Sequence, residues 1–272
     1  MATVKDKVET IKMNILNALR TKGGLPYFEI PQIAEIGWIR HGFLTRRGGV
    51  SSPPYASLNL SESNGDREES VLKNKQRAAE VFDFDPKRLI LLNQIHQDKI
   101  LLIKEPLSAL PPVLEYDAMI TDTPNTFLGI LTADCLPIFI VDREKKVIAA
   151  IHAGRNGTAL HITSKVLKRM KEDFGCSSTD FIIALGPSIG PCCYEIDEKV
   201  FVPGWDPFST SKGKGRWMVD LVRINVSQFG KEGIKREQIF RINLCTSCHS
   251  DLFFSYRKEV QTGRQLSFIG II

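Results

Sequence analysis

Short apolar runs rich in Val, Ile, Leu and Phe recur along the chain from residue 23 onward, separated by turns and by a few stretches of helical period. The runs predict strands over residues 36–44, 88–95, 100–103, 118–121, 126–132, 138–142, 147–152, 180–185, 217–219, 239–243, 254–256 and 265–271. Helical period predicts helices over 67–81, 157–173, 221–229 and 235–238. Asp66 is placed to cap the first of these, and Glu69, three residues on, to close a capping box. Ahead of the body, Val4, Val8, Ile11, Ile15 and Ala18 fall on one stripe, which predicts an amphipathic N-terminal helical extension over 1–22. The strands outnumber the helices and do not alternate with them, so the expected class is α+β, one domain over 23–272 with mixed sheets. Two long polar loops, 51–66 and 201–216, are natural places for ligand contacts.

Composition narrows the class without changing it. The chain has 272 residues, 43% hydrophobic and 25% charged, ordinary for a globular protein with a full core. No run of 18 apolar residues occurs, which argues against a membrane helix. The first twenty residues carry acids and no continuous apolar stretch, so they do not read as a secretory signal, and a cytoplasmic location is expected. The six cysteines are then expected as reduced thiols. The net charge is +5, but its densest stretch, Lys165, Lys168, Arg169 and Lys171, has helical spacing and is relieved by Glu172 and Asp173. That reads as a solvated helix face and not as a nucleic-acid surface; the mild positive field suits a small anion such as phosphate.

Three of the predicted strands end in a side chain able to hold a metal: LILLNQIH in His96, FLGILTADC in Cys135 and VIAAIH in His152. Were the strands neighbours in one sheet, the three would converge at one edge. Two imidazoles and a thiolate are the donor set of a catalytic zinc, which leaves a coordination position open; separations of 39 and 17 residues exclude a finger-type site. Taken singly, each histidine reads more readily as a surface or satisfied core residue and the cysteine as core filler; only their coincidence brings the metal level, so the pattern alone leaves it open. Asp134 stands beside Cys135, placed to orient a ligand or handle a proton. After His152, AGRNGT leads into a helix whose backbone N–H groups suit an anion, with Thr158 as its cap. In TRRGGVSSPPYASLNL, Arg47 beside two glycines is a candidate phosphate clamp and Asn59 a candidate partner.

Taken in order, RRGGVS, SLNL, NQIH, TADCLP, IHAG, GPSIGPCCYE and FFSYRKEVQTGR resemble the laccase-domain family, once labelled polyphenol oxidases and understood as multi-purpose purine nucleoside phosphorylases. The resemblance runs from about His41 to the C-terminus. It implies a four-layer α/β/β/α fold and zinc held by His96, Cys135 and His152. It further implies phosphorolysis of adenosine, inosine, guanosine and methylthioadenosine together with adenosine deamination. Arg47 and Asn59 match basic and amide positions of the family. One departure stands out: the family's usual Trp-Arg after His-Ala-Gly is Arg155-Asn156 here.

Other readings remain. A copper oxidase would use the same His₂Cys set, but a multicopper cluster needs His-x-His pairs, and the chain has five histidines and no such pair. A cysteine hydrolase would use Cys135 as nucleophile and His152 as base. A non-catalytic interaction domain is the fourth. CTSCH, with Cys245, Cys248 and His249, matches a c-type haem pattern; without an export signal it reads as core, because a second zinc lacks an identifiable fourth ligand. Cys192 and Cys193 read as pocket wall or core.

Overall fold

The structure is a computed structural model that describes residues 19–104 and 114–272. The predicted stripe from Val4 to Ala18 lies outside the described residues. In chain order the elements are β1 (Leu19–Lys22), β2 (Leu25–Phe28), α1 (Pro31–Ala34), β3 (Ile39–Leu44), α2 (Glu68–Phe82), β4 (Leu89–Leu91), β5 (Ile100–Ile103), β6 (Ala118–Thr121), β7 (Thr126–Thr132), β8 (Leu136–Asp142), β9 (Val147–Ala153), α3 (Arg155–Ala159) and α4 (Ile162–Phe174). They continue with β10 (Phe181–Leu185), β11 (Glu195–Asp197), β12 (Ser209–Gly213), β13 (Arg216–Val219), α5 (Leu221–Lys231), β14 (Ile239–Arg241), α6 (Tyr256–Glu259) and β15 (Gln265–Ile271).

Two six-stranded sheets carry the molecule, in the orders β1-β2-β3-β15-β7-β4 and β14-β10-β8-β9-β6-β5. The first is antiparallel except for β4 beside β7. The second is antiparallel inside and parallel at both edges, β10 with β14 and β5 with β6. The central strands are buried on both faces, and their period-2 pattern sorts residues between two cores. In β9, Ile148 and Ala150 point into the core between the sheets, whereas Val147, Ala149 and Ile151 pack beneath α4. In β8, Phe139 and Val141 face the other sheet and Ile138 and Ile140 face the helices. On the far side, Leu266 and Phe268 of β15 meet Ala78, Ala79 and Phe82 of α2. The layers are therefore helix, sheet, sheet, helix. Each fully buried large side chain in them contributes ~1.5–3 kcal/mol of transfer free energy.

Several expectations are corrected. Residues 19–22, expected at the end of a helical extension, form a strand paired with β2. The helix expected over 157–173 is two helices, because His161 takes a left-handed conformation (φ 58°) between α3 and α4. The expected strand over 254–256 is absent; Tyr256 opens α6. The expected helix over 235–238 is a single 3-10 turn, Arg236–Gln238. The capping box at Asp66 does not form: Arg67 is the N-cap of α2, and Asp66 accepts from the Arg67 N–H and the Asn59 amide. Thr158 does not cap α3 but lies inside it, its hydroxyl accepting from Asn225. Part of the expected loop 201–216 is β12, which with β11 and β13 makes a small third sheet. The loop 51–66 stays irregular and is held by buried Asn74 of α2, whose amide donates to Ser51, Ser57 and Asn59 and accepts from the Val50 N–H.

Candidate metal centre

His96, Cys135 and His152 do converge, but not along the edge of one sheet. His152 sits on β9, on the face that carries Ile148 and Ala150 toward the other sheet. Cys135 occupies the turn from β7, in one sheet, to β8, in the other. His96 lies five residues beyond Leu91, the end of β4, in a left-handed conformation (φ 56°). The three side chains meet at the seam between the sheets, where their nitrogen and sulfur atoms all lie within 4.8 Å of one another and could hold a metal ion. The two imidazole rings stand edge to face, with centroids 4.7 Å apart.

Asp117, at the entry to β6, ties the two histidines together. One of its carboxylate oxygens accepts from His152 Nδ1 at 2.8 Å and from the His96 backbone N–H at 3.0 Å, and the other from the Gln97 N–H at 2.7 Å. Its carbonyl accepts from the His152 N–H. A carboxylate can only accept, so His152 Nδ1 carries the proton and Nε2 is left as the ligand nitrogen. Burial opposes ionisation of Asp117, but the bonds from His152, Gln97 and His96 outweigh it and hold its pKa below the usual value.

Gly154 gives the site its room. A Cβ there would stand 3.0 Å from Cys135 Sγ and 3.2 Å from His96 Nδ1. Burial disfavours the Cys135 thiolate, yet the neighbouring His152 and His96 prevail and bring its pKa down to about 6. Burial likewise opposes the His152 imidazolium, but Cys135 and Asp117 raise its pKa to about 9. A Cys135 thiolate beside a protonated His152 is thus the favoured pair, and a bound cation would take the place of the proton on His152 Nε2. Donor chemistry, convergence and the cradle at Gly154 all fit a divalent cation of borderline softness.

Around the thiolate the wall is aromatic and basic. Burial first, then the negative charge of Cys135, pushes the Tyr194 hydroxyl up to about 12 against the pull of Arg155 and Arg257. The Arg257 guanidinium lies 5.4 Å from the Tyr194 ring centre and donates to the Glu195 carbonyl. Burial lowers the pKa of Arg264, which also feels the charges of Cys135 and Asp134. Asp134 is buried, with φ 95°, and accepts from the Thr246 hydroxyl at 2.6 Å and the Arg257 N–H at 2.7 Å.

The family described as multi-copper polyphenol oxidoreductase laccase matches residues 40–272. The chain belongs to this family. It is 36% identical to a purine nucleoside phosphorylase of Bacteroides thetaiotaomicron, over 86% of this chain and 92% of that protein. It is 31% identical to the purine nucleoside phosphorylase YlmD of Bacillus subtilis, over 85% and 87%. The crystal structure of YlmD from Geobacillus stearothermophilus superposes with a TM-score of 0.84 at 29% identity, covering 93% of this chain and 98% of that one.

The laccase-domain frame places the remaining candidates differently from one another. Arg47 is half exposed and paired with Asp251, its Nε on the Asp251 carbonyl and its Nη2 on the carboxylate at 2.7 Å. Asn59 is fully buried: its Nδ2 donates to Ser61, Asn64 and Asp66, and its Oδ1 accepts from Ser61, Asn64 and Arg264. In this arrangement Asn59 holds the loop and Arg264 and turns nothing toward a ligand. Arg155 opens α3, a helix of five residues. Asp117, Tyr194 and Arg264 escaped the sequence reading. An acid at the mouth of the apolar run of β6 was the available signal for Asp117; the other two lie far along the chain from His96, Cys135 and His152.

Proposed function

We propose that this chain is a zinc-dependent purine nucleoside phosphorylase acting on adenosine, inosine, guanosine and methylthioadenosine, and that it also deaminates adenosine. The observation that carries the reading is the three-ligand centre of His96, Cys135 and His152 over Gly154, in a family whose curated members include the two phosphorylases above. When bound there, zinc supplies Lewis acidity and an activated water. Copper is the less favoured ion, since five histidines without a His-x-His pair leave no second copper cluster to complete a laccase.

The chain's own groups have separable tasks. Asp117 fixes the His152 tautomer and the turn that presents His96. Asp134 positions the wall through Thr246 and Arg257. Tyr194 offers a ring for a purine, and Arg155, Arg257 and Arg264 make the surroundings attractive to phosphate. Arg47 reaches phosphate by exchanging it for the Asp251 carboxylate, an exchange that costs little because a pair exposed to this degree contributes ~1 kcal/mol or less. The cytosol, where the free cysteines stay reduced, is the compartment that suits this chemistry.

The test is incubation of metal-replete protein with inosine, with and without inorganic phosphate. Hypoxanthine and ribose 1-phosphate should form only with phosphate, and hypoxanthine formed equally without phosphate would contradict the proposal. A second reading, a cysteine hydrolase, draws on the imidazolium and thiolate favoured at His152 and Cys135. It requires a covalent adduct on Cys135 in metal-free, active protein, visible by intact mass; the zinc reading requires that metal-free protein be inactive and unlabelled.

A further inference from the structure

Four cysteines outside this centre come together in the fold. Cys192 and Cys193 lie in the turn that follows β10, and Cys245 and Cys248 in the turn after β14. Their four sulfurs lie within 4.8 Å of one another. Cys192 Sγ and Cys193 Sγ are each 3.4 Å from Cys248 Sγ. That is far beyond a disulfide bond of ~2.05 Å, and close to the ~3.8 Å edge of a tetrahedron of sulfurs set about 2.3 Å from a zinc ion. The two turns are sewn together next to the sulfurs by the parallel bridge between Ser188 and Cys245 and by the Thr246 N–H on the Ser188 carbonyl.

Two further observations mark the cluster as built for thiolates. The Gly190 N–H donates to Cys245 Sγ at 3.2 Å, a bond that favours a charged sulfur. A Cβ at Gly190 would stand 3.2 Å from Cys245 Cβ and 3.3 Å from Cys192 Sγ, so this glycine leaves space for the cluster as Gly154 does for the first centre. Cys192 and Cys248 are exposed, which gives an ion a path in. The expectation that CTSCH is plain core, for want of a fourth ligand, is thereby corrected: Cys192 and Cys193 complete the set.

We propose that Cys192, Cys193, Cys245 and Cys248 bind a second, structural zinc ion, distinct from the centre of His96, Cys135 and His152. Four thiols bind one Zn²⁺ and release their protons to solvent, with no change of oxidation state. The ion clips together two turns that support the first centre: Ile189 donates to the Asp134 carbonyl, Thr246 to its carboxylate, and Tyr194 follows Cys193 directly.

The test is metal analysis of the full chain purified in the presence of zinc and a reductant. Wild type should carry about two zinc ions. The double variant Cys192→Ser, Cys248→Ser, at the two exposed positions, should carry about one and keep its far-UV circular dichroism, whereas the triple variant His96→Ala, Cys135→Ala, His152→Ala should retain about one. Cobalt loaded into that triple variant should give the intense sulfur-to-metal charge-transfer bands of a tetrathiolate, and those bands should be missing from the Cys192/Cys248 variant. One zinc in wild type, the same zinc content before and after the double change, a disulfide among the four seen by intact mass, or an iron chromophore in place of zinc would each overturn the proposal.

Discussion

Asp117 has no side-chain access to solvent, and its carboxylate touches both histidine segments of the first centre. Asp117→Asn replaces one acceptor oxygen by a donor that faces an N–H, so it unfixes His152. Zinc affinity at that centre should fall about 10- to 100-fold with the fold retained, measured by competition with a chromophoric chelator; unchanged affinity would mean that Asp117 only braces the backbone. Gly154→Ala sets a methyl group against Cys135 Sγ and should displace the same ion while melting near the temperature of the metal-free wild type. His41 shows what a histidine does when it is not a ligand. Burial brings its pKa down to about 3, and its neutral Nε2 accepts from the Ile30 N–H at 2.9 Å. The unfolded chain binds that proton at about 6.5, so as pH falls below that value stability drains away, by ~1.4 kcal/mol per pH unit. Urea unfolding between about pH 6 and pH 4 should therefore show a steeper loss for wild type than for His41→Gln, and parallel slopes would refute the assignment. Residue type and local context identified the three zinc candidates, but they did not separate Arg47 from Arg264. Both are arginines among glycines, and what distinguishes them is the Asp251 pair in one case and burial near Cys135 in the other.

Among the elements, the strands were the most legible. The runs over 100–103, 118–121, 126–132 and 265–271 have their predicted bounds, because β-branched and aromatic residues bounded by turn formers leave little ambiguity. The alternation within β9 also decides which way His152 points. Backbone conformation was not legible: the left-handed residues His96, Asp134 and His161, two of them beside or within the site, carry no glycine to announce them. β15, the spine of its sheet, depends on one glycine. A Cβ at Gly270 would lie 2.2 Å from the Phe127 ring, so Gly270→Ala should lower stability by ~1–3 kcal/mol through overpacking, read as a drop in thermal midpoint. In the loop after β3, Arg47→Ala should raise the KM for phosphate roughly tenfold, as loss of a charge-assisted bond does, with adenosine deamination little changed; equal losses in both reactions would make Arg47 structural.

At the scale of the molecule, the position of the centre follows from the way the sheets stack. His96, Cys135 and His152 would meet at one edge if their strands were neighbours in one sheet; the three side chains meet instead at the seam of two, contributed by the loop after β4, by the crossing from β7 to β8 and by β9. Strand order comes from pairings distant in sequence, such as β15 between β3 and β7, and no local pattern encodes it. A metal held across a seam links the packing of both layers, so zinc occupancy should raise the thermal midpoint by mass action. The central claim is that one zinc ion on His96, Cys135 and His152 runs phosphate-dependent nucleoside cleavage. It is tested most directly by titrating zinc into the chelator-stripped Cys192→Ser, Cys248→Ser variant, so that the first centre is read alone, while ribose 1-phosphate release from inosine is followed. Activity should rise linearly and level off at about one equivalent of zinc, and the same titration on Cys135→Ser should give none. Full activity before any metal is added, or activity restored by copper and not by zinc, would contradict the account.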